Sequence, residues 1–237
     1  MKSIHILLFT FLAFALLPSC NNIQGSGEII QSERSVNNFT EINSSISGKV
    51  TVSLGNEYKV TVNAQQNIAD VLETVVENGA LEIKYKTNTQ ISTHKPVEVH
   101  VSLPNITTLT LRGSGDIIVL DRLNADKLTL KIAGSGDIIA DEIKTNELNA
   151  AISGSGTLNM RSGIADEEKL KISGSGTIDV AGLKSRASDI VISGSGKARV
   201  NVSEQLNVKI SGSGTMYYSG DPMVTKQISG SGSIQKL

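Results

Sequence analysis

KISGSGTIDV, residues 171–180, has near-copies along the chain: KIAGSGDIIA at 131, AISGSGTLNM at 151, VISGSGKARV at 191 and KISGSGTMYY at 209. A Gly-Ser-Gly among polar residues reads as a flexible linker, but each of these is clamped between apolar residues. The triplet begins at Gly113, Gly134, Gly154, Gly174, Gly194, Gly212 and Gly230, in steps of 21, 20, 20, 20, 18 and 18. A period of that size denotes a solenoid or an array of repeats. Two residues before the first glycine stand Leu111, Ile132, Ile152, Ile172, Ile192, Ile210 and Ile228. Four before stand Leu109, Leu130, Ala150, Leu170, Ile190, Val208 and, as an exception, Lys226. After the glycine, positions four and six on are apolar in nearly every copy, with Lys236 the exception at the end.

Apolar residues two apart on both flanks are the mark of strands with one buried face. On a helix the same spacing winds around the axis, and the fixed Asn or Cys of leucine-rich repeats is absent. The chain is therefore expected to be all-β, a parallel β-helix with one coil of about 18–21 residues per repeat. Successive coils stack about 4.8 Å apart, so equivalent residues form columns. Gly-Ser-Gly is then a corner. If the alternation runs straight through it, both glycines face inward and the serine outward; if a bulge interrupts it, the serines turn inward and pair along the stack.

Composition agrees. There are 22 Gly, 4 Pro, no Trp and 3% aromatic residues among 237, so the core is built from Ile, Val and Leu. A formal net charge of −1 with 39% hydrophobic residues excludes both a disordered polyelectrolyte and a basic nucleic-acid binder.

The start of the chain is addressed to export. Residues 1–19 carry an early Lys2, an apolar run from Ile4 to Leu17 and then Pro18-Ser19, a lipoprotein signal peptide too short for a membrane span. Leu17-Pro18-Ser19-Cys20 is similar to a bacterial lipobox, which makes Cys20 the lipidation site and the first mature residue. Cys20 is the only cysteine, so no intramolecular disulfide can form. Residues 20–40 read as a lipidated N-terminus and polar tether with a first Gly-Ser-Gly at 25–27. An N-terminal strand-rich region follows over 41–106, and the repeat proper fills 107–237. Within 41–106, Val50–Leu54 and Tyr58–Val62 flank a turn-like Gly55-Asn56, NIADVL at 67–72 fits one helical turn, and Asn78-Gly79 in 72–86 is the dipeptide of a type I′ hairpin.

Catalytic and metal chemistry find little support. Asp116 and Asp137 hold the same position in consecutive coils, a separation of about 5 Å that suits a retaining glycosidase, but they are expected to be solvated turn residues. Calcium-binding β-rolls repeat a shorter glycine-rich pattern, and Lys197 interrupts the aspartate column. His94 and His100 lack the Cys or acidic neighbours of a zinc site. Gly-Ser-Gly is neither a nucleophile elbow nor a phosphate-cradling loop. Ser153, Ser173, Ser193, Ser211 and Ser229 form an outward hydroxyl ladder, and Tyr217-Tyr218 is the only aromatic pair. No catalytic residue, cofactor or metal ligand is assigned.

GSGEI at 25–29, SVNNFTEI at 35–42, VSLPNITTLTLRGSGDI at 101–117 and every later SGSG resemble the auto-transporter adhesin, head GIN domain family, exported β-helical lipoproteins of Gram-negative bacteria. The resemblance spans nearly all of the mature chain. It implies a right-handed β-helix and carries no catalytic residues. The expected function is a non-catalytic, lipid-anchored cell-envelope protein, an adhesin or a binding or structural module. The alternative is a polysaccharide-binding or polysaccharide-degrading β-helix. Expected partners are the membrane, through lipid on Cys20, and an envelope glycan or protein; the expected location is the cell envelope, at the outer membrane.

Overall fold

The computed structural model describes residues 21–237, so Cys20 and the signal segment lie outside the described residues. The described chain is almost entirely strand, and the repeat winds as a parallel β-solenoid. Leu130, Ala150, Leu170, Ile190 and Val208 are partners in successive rungs, as are Ile132, Ile152, Ile172, Ile192, Ile210 and Ile228.

Each coil has a first wall that runs into Gly-Ser-Gly (129–134, 149–154, 169–174 and their equivalents) and a second that leaves it (137–140, 157–160, 177–179). A short third side (142–145, 162–165, 183–185) links them. In Asp137–Gly154 the buried residues are Ile138, Ala140, Ile143, Thr145, Leu148, Ala150 and Ile152. The alternation slips where two outward residues follow one another, at Asp141-Glu142 and Asn146-Glu147, and there the ribbon turns. Unequal repeat lengths are absorbed on this short side. The 21-residue step places its extra residue in the Leu120–Arg122 corner, where Leu120 is exposed. The first 18-residue step drops its two residues beyond Val200, with a register shift between Ser185 and Ala187. Both walls keep their columns.

At the Gly-Ser-Gly corner the alternation runs straight through. The serine is outward, and its N–H donates to the first glycine's carbonyl in the rung before, as in Ser175 to Gly154 at 2.9 Å. The two glycines do different jobs. The first, such as Gly194 at φ +119°, occupies backbone space that a side chain strains to enter. The second leaves room for the isoleucine column: a Cβ on Gly176 would lie 2.6 Å from Ile152 Cγ2. The isoleucine of one coil therefore fills the space above it only because the next coil has no side chain there.

The stack extends below Thr107, in an order different from the chain's. Thr108–Gly113 pairs in parallel with Glu41–Ser44, which pairs with Ala80–Tyr85. Asp116–Val119 pairs with Lys49–Leu54, which pairs with Glu98–Leu103. The coil at 41–54 is thus held between a later segment, 80–103, and the first repeat. Strands flanking Gly55-Asn56 are not neighbours, because Glu98–Leu103 lies between them, parallel to Lys49–Leu54 and antiparallel to Lys59–Gln65. Antiparallel strands Lys59–Gln65 and Leu72–Glu77 cover this end, with a helical turn Gln66–Ala69 that buries Ile68 and Ala69. Asn78 and Gly79 both take positive φ, 51° and 80°, as a type I′ hairpin requires.

The segment expected to be a tether carries two strands. Asn21–Ile23 pairs with Thr89–Ile91, and Ile29–Arg34 pairs with Lys59–Gln65. Its Gly-Ser-Gly is no solenoid corner. Gln65 Nε2 donates to the Gly27 carbonyl at 2.9 Å, Ser26 N–H to Asn67 Oδ1 at 3.0 Å, and Asn67 Nδ2 to the Gln24 carbonyl at 2.8 Å. Two amide side chains thus clamp a loop whose sequence matches the corners.

Candidate functional site

Asp116 and Asp137 are register partners in neighbouring rungs. Their carboxylates turn along the stack to the backbone above: Thr157 N–H donates to Asp137 Oδ1 at 2.9 Å, and Asp137 N–H to Asp116 Oδ1 at 3.4 Å. That arrangement ties rungs together instead of presenting two carboxyls to a shared substrate. His94 Nδ1 sits 2.6 Å from the Lys95 carbonyl, and His100 Nε2 lies 3.8 Å from Glu98 Oε2. No group of three potential metal-ligating side chains occurs among the described residues. Tyr217 packs under the Arg199 guanidinium, 5.6 Å from its ring centroid, while Tyr218 leans on the core. The tyrosines face opposite ways and form no joint platform.

The outward face of the first wall is different. Ser153, Ser173, Ser193, Ser211 and Ser229 stand in register, half-buried at Ser173 and exposed at the others. Beside them runs the column Thr110, Lys131, Ala151, Lys171, Val191, Lys209, Gln227. Lysine and a small or apolar residue alternate rung by rung. Lys131, Lys171 and Lys209, with Arg112 at the lower end, are exposed and form no ion pair among the described residues. Open depressions lie between them. One of about 330 Å³ is floored by Ala150, Ala151, Leu170 and Val191 between Lys131 and Lys171; another of about 340 Å³ lies over Val191 beside Lys209.

The next two columns, on the side away from the serines, hold paired charges. Glu147 is hydrogen-bonded by Asn149 and by Lys169 at 3.0 Å and lies 3.3 Å from Lys127, which hold its carboxyl down to about 2. Asp189 accepts from Asn207 Nδ2 at 2.7 Å. Glu147 and Asp189 are thus engaged by nearby partners, whereas Lys131, Lys171 and Lys209 form no ion pair among the described residues.

One buried group escaped the sequence reading. Glu168 stands in the inward column Leu128, Leu148, Glu168, Ser188, Leu206 and is only 1% exposed. It is the sole buried acidic side chain among the described residues. Burial pushes its carboxyl up to about 8, against a smaller lowering by the Ser188 and Ser185 hydroxyls beside it. Neither hydroxyl reaches it with full hydrogen-bond geometry, and both carboxyl oxygens and Ser188 Oγ are unpartnered. The signal was present: Glu168 keeps parity with Leu170 and Ile172 and sits 20 residues from Leu148 and Ser188. It hid in the run Asp166-Glu167-Glu168, which reads as a solvated charge cluster.

The described residues form a parallel β-solenoid whose first wall carries a serine ladder and a file of exposed lysines. The chain belongs to the family described as "Putative auto-transporter adhesin, head GIN domain", whose model matches residues 38–222. Among solved structures, a putative adhesin from Bacteroides fragilis is 21% identical with TM-score 0.84, covering 91% of this chain and 100% of the other. A putative adhesin from Parabacteroides distasonis is 19% identical with TM-score 0.77, covering 92% and 100%. A protein from the same species, described as a putative lipid binding protein, is 26% identical with TM-score 0.79, covering 92% and 100%. No curated protein matches the chain.

Proposed function

We propose that the chain is a non-catalytic, lipid-anchored adhesin of the bacterial cell envelope that binds its partner along the first wall of the solenoid. The observation that carries this reading is the outward face of the first wall with its serine ladder and unpaired lysines, on a scaffold where the stacked Asp116 and Asp137 are engaged by backbone amides. Anchoring rests on the sequence Leu17-Pro18-Ser19-Cys20. Three acyl chains on Cys20 would hold the protein at a membrane without a spanning segment. No helix among the described residues is long and apolar enough to cross one.

The test has two arms. Expressed in full, the protein should partition with membranes and incorporate labelled fatty acid, and Cys20→Ala should abolish both. Purified from Cys20 onward without lipid, it should bind members of a panel of polysaccharides and envelope fractions without releasing reducing ends. Turnover that Asp116→Asn abolishes would replace this reading with a glycan-degrading one. The 26% identical neighbour described as lipid binding makes vesicles a necessary member of the panel.

A further inference from the structure

We infer that the lysine file of the first wall is a binding track for a linear acidic polysaccharide that carries one anionic group on every second sugar. This deepens the adhesin reading and rests on it. Lys131, Lys171 and Lys209 are not neighbours but occupy alternate rungs, separated by Ala151 and Val191. At about 4.8 Å per rung, successive lysines are roughly 9.6 Å apart along the solenoid axis. A pyranose unit advances an extended polysaccharide by close to one rung, so a charge on alternate sugars keeps step with the lysines. The uncharged sugar between two charged ones then falls over Ala151 or Val191, where the depressions lie. Val191, at 37% exposure, offers the apolar floor, and the adjoining Ser153, Ser173 and Ser193 hydroxyls offer hydrogen-bond partners to ring substituents. Arg112, one rung below Lys131 and one column across, extends the track at its lower end.

Charge and shape argue for a single polymer strand. On the first wall Lys131, Lys171 and Lys209 lie in one file, between a column that is serine from Ser153 to Ser229 and a column in which Lys169 is paired with Glu147 and Asp189 with Asn207. A membrane surface is met by a broad cationic patch with protruding apolar anchors; here the residues between the lysines are recessed. Single-stranded nucleic acid needs aromatic stacking platforms, and this wall has none among its outward residues from Thr108 to Ser229. Attraction through a few exposed cations is screened by salt, so the affinity should fall as ionic strength rises.

The experiment measures binding of the soluble mature protein to hyaluronan, which carries one carboxylate per disaccharide, at several salt concentrations. Neutral dextran and phosphatidylglycerol-containing vesicles serve as comparators. The triple variant Lys131→Gln/Lys171→Gln/Lys209→Gln is set against a control with the same charge change on the other sides, Lys144→Gln/Lys184→Gln/Lys197→Gln. The track predicts salt-sensitive hyaluronan binding, a loss of at least tenfold in the first variant and less than twofold in the control, with unchanged melting of both. Absence of hyaluronan binding, equal loss in the two variants, or preferential vesicle binding lost with the same three lysines would each overturn it. Failure here is separable from failure of the adhesin reading: a protein that binds dextran or an envelope fraction without hyaluronan keeps that reading and loses this one.

Discussion

Glu168 shows how far one inward residue can set the response of a repeat protein to its surroundings. Its column is Leu128 and Leu148 on one side and Ser188 then Leu206 on the other, so the carboxyl replaces a leucine in an aliphatic stack. An ionised carboxylate there has neither water nor a counter-charge, and the fold therefore holds it protonated, with its titration moved from 4.5 to about 8. Between those values the folded chain keeps a proton that the unfolded chain has released. Stability must then fall as pH rises from about 4.5 to about 8, and lie at its best below that window as far as this group is concerned. Glu168→Leu restores the column and removes the titration. Melting curves from pH 5 to pH 9 should show the wild type losing stability with rising pH, while the variant is flatter and more stable at pH 8. The gain there should be about 1–3 kcal/mol, the cost of a buried polar group left unpaired. Parallel pH slopes in the two proteins would acquit Glu168.

At the scale of the element, the corner is the unit that makes the strands into coils. Both glycines of each triplet are needed, one for its backbone angle and one for the isoleucine of the preceding coil, while the serine between them is exposed and contributes its backbone alone. Gly194→Ala puts a Cβ at φ +119° against the Gly174 carbonyl, whereas Ser195→Ala disturbs nothing. The first should cost about 2 kcal/mol or more, a fall of roughly 4–8 °C in Tm, and the second should leave Tm within a degree; thermal denaturation of both decides whether the corner or the linker reading of the triplet holds. Columns and corners were legible in the sequence because alternation and repetition are local properties: Ile152, Ile172 and Ile192 announce their stacking by spacing alone. Placing 41–54 between 80–103 and the first repeat was not, because nothing local in Lys49–Leu54 records which of two parallel partners lies on each edge. The structure of 25–27 within the expected tether was hidden for the same reason: its partners are Gln65 and Asn67, some 40 residues on. For the candidate site, the serine ladder was visible as a repeat. The lysine file was written at a fixed place too, three residues before the first glycine, but it fills only every second copy, with Ala151 and Val191 between, and so does not read as a ladder.

As a whole molecule the solenoid has two ends that are closed differently. At the N-terminal end antiparallel strands Lys59–Gln65, Ile29–Arg34 and Leu72–Glu77 flank the parallel rungs. The C-terminal end finishes with Met223–Ser229 and Ser233–Lys236, each paired on one side only, and Met223, Ile228 and Leu237 are exposed. An open rung with unpaired backbone groups is a template for another chain's strand. What stands against that is the substitution of charge into the inward columns: Lys226 takes the place that Val208 holds one rung below, and Lys236 the place of Tyr218. A further coil stacked on this end would have to bury both ammonium groups, and Lys236 would lose the solvent around its close ion pair with Asp221. Lys226→Val/Lys236→Val removes that penalty while continuing the aliphatic columns. The double variant should fold with unchanged or higher Tm and self-associate in a concentration-dependent manner in sedimentation velocity, where the wild type sediments as a single smaller species. Identical sedimentation of the two proteins would move the protection of this end from its charges to the shape of the final coil.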